Sequence, residues 1–581
     1  MILDHSFPPR KSPLLHISVL TCWASCVFAF APRLFLLFQG NGFLKSGVEI
    51  VIVVSFLSLL AVFWLYGVFY LLHFVAAFFE RRLPVVDPPH MGIWPRVAVL
   101  YTTFHDFQEG AVRSCLAQKY PGEFKVFILD DSTRREWRDR IDVFAKDYEA
   151  NQLQVIRRPV TNRTGYKAGN INHALREEIT DFPYFAVFDA DSVAPPDFLH
   201  RIMPYFELAP DIAFLQGGHI PRPLENQPTS FAQDLSGWTD AVWNLIWLPK
   251  NRFGFAFFLG HGGVISYQKW RELGKGFPEV ASEDIAISVE FQLLGYRGWH
   301  VANVCSEEEF PADYRSFRKQ QKRYIQGVCE FLHKDLGRYL RSDQPRWFEK
   351  LDLLLTCTSL FLPCAMMTFM VLFCVVMPWR FGLWHPNDVD IFDDGTLQFP
   401  LLLQRYFHEI WTVPFLVTML GCSFGPVLGA LSTIPHQSWH GVRRGLNLVF
   451  LSAVPFMSIL VMGIMAIVSY LRSRHVVFGV TGDRSSSGEE STVAICEELF
   501  VIFCGVGCIL TSNWTLGGPC VATLLGLALR WDTTDSFWDP SARWMKWTRW
   551  TLYVPFLCIV FGIARLCQLT IERHLTQAIL E

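Results

Sequence analysis

Residues 184–191 read Tyr-Phe-Ala-Val-Phe-Asp-Ala-Asp (YFAVFDAD). Five apolar residues bounded by two aspartates predict a short buried strand that ends on acid. Three similar runs lie upstream: Arg96–Tyr101 (RVAVLY), Phe124–Leu129 (FKVFIL) and Gln154–Ile156. Helical patterns separate them at Gln108–Gln118, Arg134–Tyr148 and Ala168–Glu178. Strands alternating with helices predict a parallel sheet with covered faces. Ligands of such sheets bind at the carboxyl ends of the strands. The first run is followed by Thr102-Thr103-Phe104-His105-Asp106, the second by Asp130-Asp131-Ser132, the fourth by Asp189-Ala190-Asp191. One acidic strand end is ordinarily a cap or a turn. Three at corresponding positions of one edge make a pattern.

Two carboxylates spaced Asp-x-Asp can hold a hard divalent cation and leave positions open for diphosphate oxygens. Further along, Lys167-Ala168-Gly169-Asn170 opens a helix, with a lysine suited to phosphate or simply to solvent. Phe258-Leu259-Gly260-His261-Gly262-Gly263 is a glycine-rich loop, whose histidine is either a ligand or incidental to the backbone. Ser282-Glu283-Asp284 precedes a helix over Ile285–Leu294. Ser282 suits an N-cap, and Asp284 alternatively faces a cleft as a general base. Gln320-Gln321-Lys322-Arg323-Tyr324 lies in a basic stretch, Arg315–Arg323, that suits either a membrane-facing patch or an anion site.

The chain around this region is unusually apolar. Of 581 residues, 51% are hydrophobic and only 18% charged, against about 25% charged in soluble domains. The net charge of −3 gives no basic field, so no nucleic-acid partner is expected. Residues 15–38, 49–79, 351–377, 411–433, 446–471, 496–529 and 551–569 are apolar stretches of about the length that crosses a bilayer. The first is expected to be a retained span. The 496–529 stretch, broken at Ser512-Asn513-Trp514 and Gly517-Gly518-Pro519, is expected to be a hairpin. Residues 1–80 thus form a two-helix membrane region, 81–350 a soluble domain, and 351–581 a second membrane region. Arg10-Lys11 and Arg81-Arg82 flank the first pair, which puts the soluble domain in the cytosol. Asp388, Asp390, Asp393 and Asp394 mark an external loop. Arg443-Arg444 and Arg472/Arg474 flank 446–471 on both sides, so this stretch either spans or lies at the interface. The 15 cysteines lack the paired spacing of a zinc site and read as small buried hydrophobes.

The ordered set Asp130-Asp131, Asp189-Ala190-Asp191, Ser282-Glu283-Asp284 and Gln320-x-x-Arg323-Tyr324 resembles the cellulose synthase catalytic subunits. These are inverting family-two glycosyltransferases related to hyaluronan and chitin synthases. The resemblance covers about residues 95–330. Phe478-Gly479-Val480-Thr481 is similar to that family's gating loop, expected here within 472–495 after an interfacial helix at 446–471. There are departures. Tyr324 stands for the family's tryptophan, Leu259-Gly260-His261-Gly262 replaces its cysteine-bearing loop, and Gly482-Asp483-Arg484 lacks its lysine. The tail beyond 569 is too short for a cyclic-dinucleotide sensor.

The resemblance implies an α/β nucleotide-diphosphate-sugar domain of GT-A type inserted in an α-helical transmembrane bundle. It implies that Thr103, Asp106 and Asp131 hold uridine with Asp130 nearby, that Lys167 and Asp189 meet the donor diphosphate, and that Asp189 and Asp191 carry Mg2+ or Mn2+. Asp284, beside Glu283, would be the base. Arg323 would stabilise the leaving group, and Gln320, Tyr324, Gly260 and His261 would position the acceptor. Phe478, Val480 and Thr481 would gate the donor. The implied enzyme is a multi-pass protein of the plasma (cell inner) membrane. It would polymerise a UDP-sugar, by default UDP-glucose, onto a growing polysaccharide acceptor and translocate it. Its expected partners are membrane lipid and either an accessory export subunit or further copies of itself. Trp23, Trp64, Trp411 and Trp439 could line a sugar path or mark membrane interfaces. Two rivals predict otherwise: a non-processive enzyme glycosylating a lipid, and, more distantly, a transporter with a cytosolic nucleotide-binding domain. The second is disfavoured by few charges within the spans and no GxxxxGK[ST] loop.

Overall fold

A computed structural model describes residues 11–40, 44–80, 91–159, 163–222, 229–380, 448, 451, 454–474, 476, 488–510, 520–526, 554 and 557. The four expected strands form as β1 (Val97–Thr103), β2 (Phe124–Asp130), β3 (Leu153–Ile156) and β4 (Tyr184–Asp189). β1, β2 and β4 run to, or just short of, their acidic ends, and β3 leads into Arg157-Arg158. Three strands had no sequence expectation: β5 (Ile212–Pro221), β6 (Gly263–Ser266) and β7 (Arg297–Glu308). The seven make one sheet in the order β3-β2-β1-β4-β6-β5-β7.

The wholly parallel sheet predicted above is corrected to a mixed one, because β6 runs antiparallel to both β4 and β5. Only four residues long, β6 enters through the glycine-rich turn, where Gly260 and Gly262 take positive φ. Glycine adopts that backbone freely. The chain, after the helices Ser230–Leu235, Gly237–Val242 and Lys250–Phe253 that follow β5, thus enters β6 at the carboxyl end of β4.

Both faces of β1, β2 and β4 are buried, which accounts for their unbroken apolar runs. Val99, Tyr101, Ile128 and Phe188 face one layer, with Val112 and Phe144 of the helices Glu109–Leu116 and Arg135–Ala145. Leu100, Phe127, Leu129 and Val187 face the other, with Ile171 of Tyr166–Glu177 and Ile287 of Glu283–Leu293. Each such side chain contributes about 1.5–3 kcal/mol when fully buried.

Among the described residues, three helical segments are long and apolar enough to cross a membrane: Leu14–Leu36, Gly47–Phe79 and Trp347–Val371. Trp64 is buried against Phe30 between the first two, and Trp23 Nε1 donates to the Ala61 carbonyl at 2.8 Å. Asp352 ties the third to the soluble domain. It accepts from Lys250 Nζ at 2.6 Å and from the Phe255 N–H at 2.9 Å.

The helix Leu460–Ser473 has 14 residues, about 21 Å at ~1.5 Å each, against a hydrocarbon core of about 30 Å. It packs on the helices Tyr314–Lys334 and Leu362–Val371. The loop expected over 472–495 is shorter, because a helix already begins at Gly488 and runs to Leu510. Glu497 on this helix is buried and bonds Arg318 at 2.7 Å. A hydropathy limit at 496 therefore misses the helix's polar first turns. Phe478, Val480, Thr481, Trp411, Trp439, the 378–410 acidic loop beyond residue 380, the 411–433 span and most of 551–569 lie outside the described residues.

Candidate active site

Register decides the geometry of the acidic edge. Thr103 of β1 is level with Asp130 of β2, and Thr102 with Asp189 of β4. Three strand ends thus finish in one line. Thr102 Oγ1 donates to Asp189 Oδ1 at 2.9 Å, and Thr103 Oγ1 donates to Asp106 Oδ1 at 2.8 Å. The Phe104 N–H also donates to Asp106, at 2.7 Å. Burial, against these donors, raises the Asp106 carboxyl to about 6.

Lys167 reaches this edge from the first turn of Tyr166–Glu177. Its Nζ lies 2.5 Å from Asp189 Oδ1 and donates to the Gly260 carbonyl at 2.9 Å. The turn before it is close-packed, since a side chain on Gly169 would collide with the Thr164 carbonyl. Burial would lower the Lys167 pKa, but Asp189 and Glu283 override it and hold it above the usual value. Burial would likewise raise Asp189, but Lys167 and then His261 keep it well below the carboxylate range. Burial and the neighbouring Asp189 charge push Asp191 up to about 7. A pair of carboxylates that resist joint ionisation is what a divalent cation relieves. By this test, Asp189 and Asp191 fit a metal.

Glu283 and Asp284 open the helix Glu283–Leu293, and Ser282 makes no side-chain cap to it. A side chain on Gly260 would begin 3.8 Å from Asp284 Oδ2 and 3.9 Å from Lys167 Nζ, so acid and amine flank that glycine. Ser288 locks the arrangement. Its hydroxyl donates to the Asp284 carbonyl and accepts from the Phe258 N–H, both at 2.7 Å. Burial raises Asp284, the Ile285 N–H opposing, and burial raises Glu283 to about 7, Lys167 opposing.

The helix Tyr314–Lys334 brings the last motif. Gly327 faces Ser282, where any side chain would meet the Ser282 hydroxyl, and Glu330 accepts from the Ala281 N–H at 2.8 Å. Gln320, Arg323 and Tyr324 share this face at helical spacing. Arg323 lies over the Tyr324 ring, 5.9 Å from its centroid. Tyr324 is 44% exposed, yet feels the charges of Glu308, Asp284 and Asp191.

Sequence reasoning missed the partners of the acidic pair. Asp130 is fully enclosed and bonds Arg157 at 2.6 Å. Asp131 takes a two-pronged bond from Arg158, at 3.0 and 2.6 Å. The adjacent arginines after β3 were the available signal. It also missed His219 on β5 and Glu308 on β7. Their rings and carboxylate converge on His261, because the bulge between β5 and β7 moves the partner of Gly218 to Cys305 and turns Glu308 inward. The run Glu307-Glu308-Glu309 was a visible trace of that edge.

A model of glycosyl transferase family group 2 matches residues 184–471, and one of glycosyl transferase family 2 matches residues 107–250. Glucomannan 4-beta-mannosyltransferase 7 of Arabidopsis thaliana is 24% identical over 255 residues, covering 44% of this chain. The match spans 46% of that relative's own length. A mannosyltransferase of Pyrobaculum calidifontis, solved with GDP-mannose and Mn2+, aligns with a TM-score of 0.42 at 16% identity, over 64% of this chain and 98% of that one. TarS of S. aureus aligns with a TM-score of 0.28 at 11% identity, over 65% and 53%.

Proposed function

We propose that this chain, a glycosyltransferase of family-two type, is a membrane-embedded, processive and inverting β-hexosyltransferase. The observation that carries the reaction is the setting of Asp284. It is a half-buried carboxylate with a raised pKa, flanking Gly260 opposite Lys167. Asp284 accepts the proton of an acceptor hydroxyl as that oxygen attacks the anomeric carbon. The new carbon–oxygen bond forms as the bond to the diphosphate breaks, so an α-linked donor gives a β-linked product. Lys167 and Arg323 meet the charge that builds on the diphosphate. Asp189 and Asp191 would hold Mg2+ or Mn2+, which supplies further neutralisation of that charge. Thr103, Asp106 and Asp131 line the nucleoside end. Asp130 acts through Arg157. Gln320, Tyr324, Gly260 and His261 set the acceptor at the mouth of the cleft.

On this reading, which the length and apolar composition of the helices support, the enzyme sits in a membrane with residues 81–350 on the cytosolic side and Leu460–Ser473 at the interface. The product then leaves across the bilayer. The resemblance in the motifs favours UDP-glucose as donor. The named activity of the Arabidopsis relative is 4-β-mannosyl transfer, which adds GDP-mannose as the second donor to test. Purified protein in lipid nanodiscs, given Mg2+ or Mn2+ and each radiolabelled nucleotide hexose in turn, should transfer label from one donor to an acceptor. Transfer from none of them overturns the reading.

A further inference from the structure

The helix Tyr314–Lys334 has a second face, turned away from the site. Gly327, which meets Ser282, lies nine residues past Arg318, about two and a half turns at ~3.6 residues each. Arg318 therefore points to the opposite side. Its Nη2 donates at 2.7 Å to Oε1 of Glu497, on the helix Gly488–Leu510. Its Nη1 donates to the Tyr314 hydroxyl oxygen at 3.3 Å. Ser458 Oγ donates to the Pro455 carbonyl at 3.1 Å. The Tyr314 hydroxyl thus gives its own hydrogen to Ser458, at 2.5 Å, and keeps a lone pair for Arg318. A side chain on Gly526 would strike Ser458 and the Tyr314 hydroxyl, so the helical residues 520–526 close on the same point.

Glu497 is 1% exposed and Arg318 9%. The setting is apolar, since Tyr314 packs in one cluster with Phe317, Ile459 and Val493. Two ions buried together gain little over an apolar pair of the same volume, because desolvation offsets their attraction. What such a pair supplies is register. Ile325, Cys329, Met462 and Ala466 share the cluster, but apolar packing has no direction. A guanidinium bonded to both a carboxylate and a hydroxyl has one.

We propose that Arg318 and Glu497 are positioning residues for sugar transfer. Their ion pair fixes the rotation and axial register of the helix Tyr314–Lys334. It thereby aims Gln320, Arg323 and Tyr324 at the Asp284 turn. A loosened helix leaves the base and the metal pair intact and misplaces the acceptor. Water then takes the acceptor's place. Its oxygen attacks the anomeric carbon, the bond to the diphosphate breaks and the proton goes to Asp284, giving free sugar and nucleoside diphosphate. Displacement of Arg323 slows transfer and hydrolysis alike, whereas a misplaced acceptor slows transfer alone. This inference rests on the sugar-transfer reading above.

The test compares the full wild-type chain with Arg318→Met/Glu497→Leu in nanodiscs, with a divalent cation and labelled donor. The double variant leaves no unpaired buried ion and should melt as wild type does. It should bind nucleoside diphosphate nearly as well as wild type, yet transfer sugar about tenfold more slowly or worse. The ratio of donor hydrolysis to transfer should rise severalfold. Where the double variant fails to fold, Glu497→Gln decides, since it keeps the shape, removes the charge and should raise the same ratio. A wild-type rate and ratio in the variant that folds overturn the proposal. So does a loss of nucleotide binding equal to the loss of transfer, which marks general collapse. A wild-type chain inert toward every donor overturns the sugar-transfer reading, and this inference with it.

Discussion

In the proposed mechanism, Asp284 is the residue on which the chemistry turns. Asp284→Asn keeps the size and the Ile285 N–H contact but cannot take a proton. It should lower kcat about 10²–10⁴-fold, with near-native melting and nucleotide affinity. Turnover within tenfold of wild type would remove Asp284 as the base. Because burial raises its carboxyl above the ordinary aspartate value, kcat/KM should fall as pH drops through a pKa higher than that of an exposed aspartate. A pH-rate profile measures this directly, and an acid limb at the ordinary value contradicts it. Asp106 offers a stability counterpart. Its folded pKa of about 6 exceeds the ~3.9 of an unfolded aspartate. The proton is then bound more tightly in the folded state. This stabilisation is full below about pH 4 and is lost as pH rises through about 6. Relative to wild type, Asp106→Asn should melt higher at pH 8 than at pH 5 while binding donor more weakly.

Among the elements, the helix Tyr314–Lys334 works by close approach. Gly327 lets its backbone reach Ser282, and the same face carries Gln320, Arg323 and Tyr324. Gly327→Val should push this face off the Asp284 turn and cut kcat at least tenfold, with donor affinity changed far less. Equal losses in both would show a general collapse. The motifs on this helix were legible as residues, but their meeting with Asp284 was not, because no sequence spacing reports which helices cross at a glycine. The sheet divides similarly. β1, β2 and β4 were legible because both faces are buried and their runs are unbroken. In β5, Gln216, Gly217, Gly218 and His219 interrupt the apolar run, and β7 ends in two glutamates, Glu307 and Glu308. Those interruptions hid the strands, and they are also the residues that build the site's far wall.

At the scale of the molecule, three segments among the described residues are long and apolar enough to cross a membrane, and they flank a sheet whose acidic edge is the proposed site. The hydropathy of Leu14–Leu36 and Gly47–Phe79 announced them plainly. The mooring at Asp352 was silent, because Lys250 and Asp352 lie 102 positions apart and bond at 2.6 Å. Membranes washed with alkaline carbonate should retain the full chain, and its recovery in the supernatant would refute the spans. The most direct test of the whole account is the size and linkage of the product. Nanodisc-embedded enzyme, supplied with a divalent cation and its radiolabelled donor, should make a high-molecular-weight polymer cut by β-specific hydrolases and absent from Asp284→Asn. Label confined to an extractable lipid, or a product resistant to every β-specific hydrolase, would contradict it.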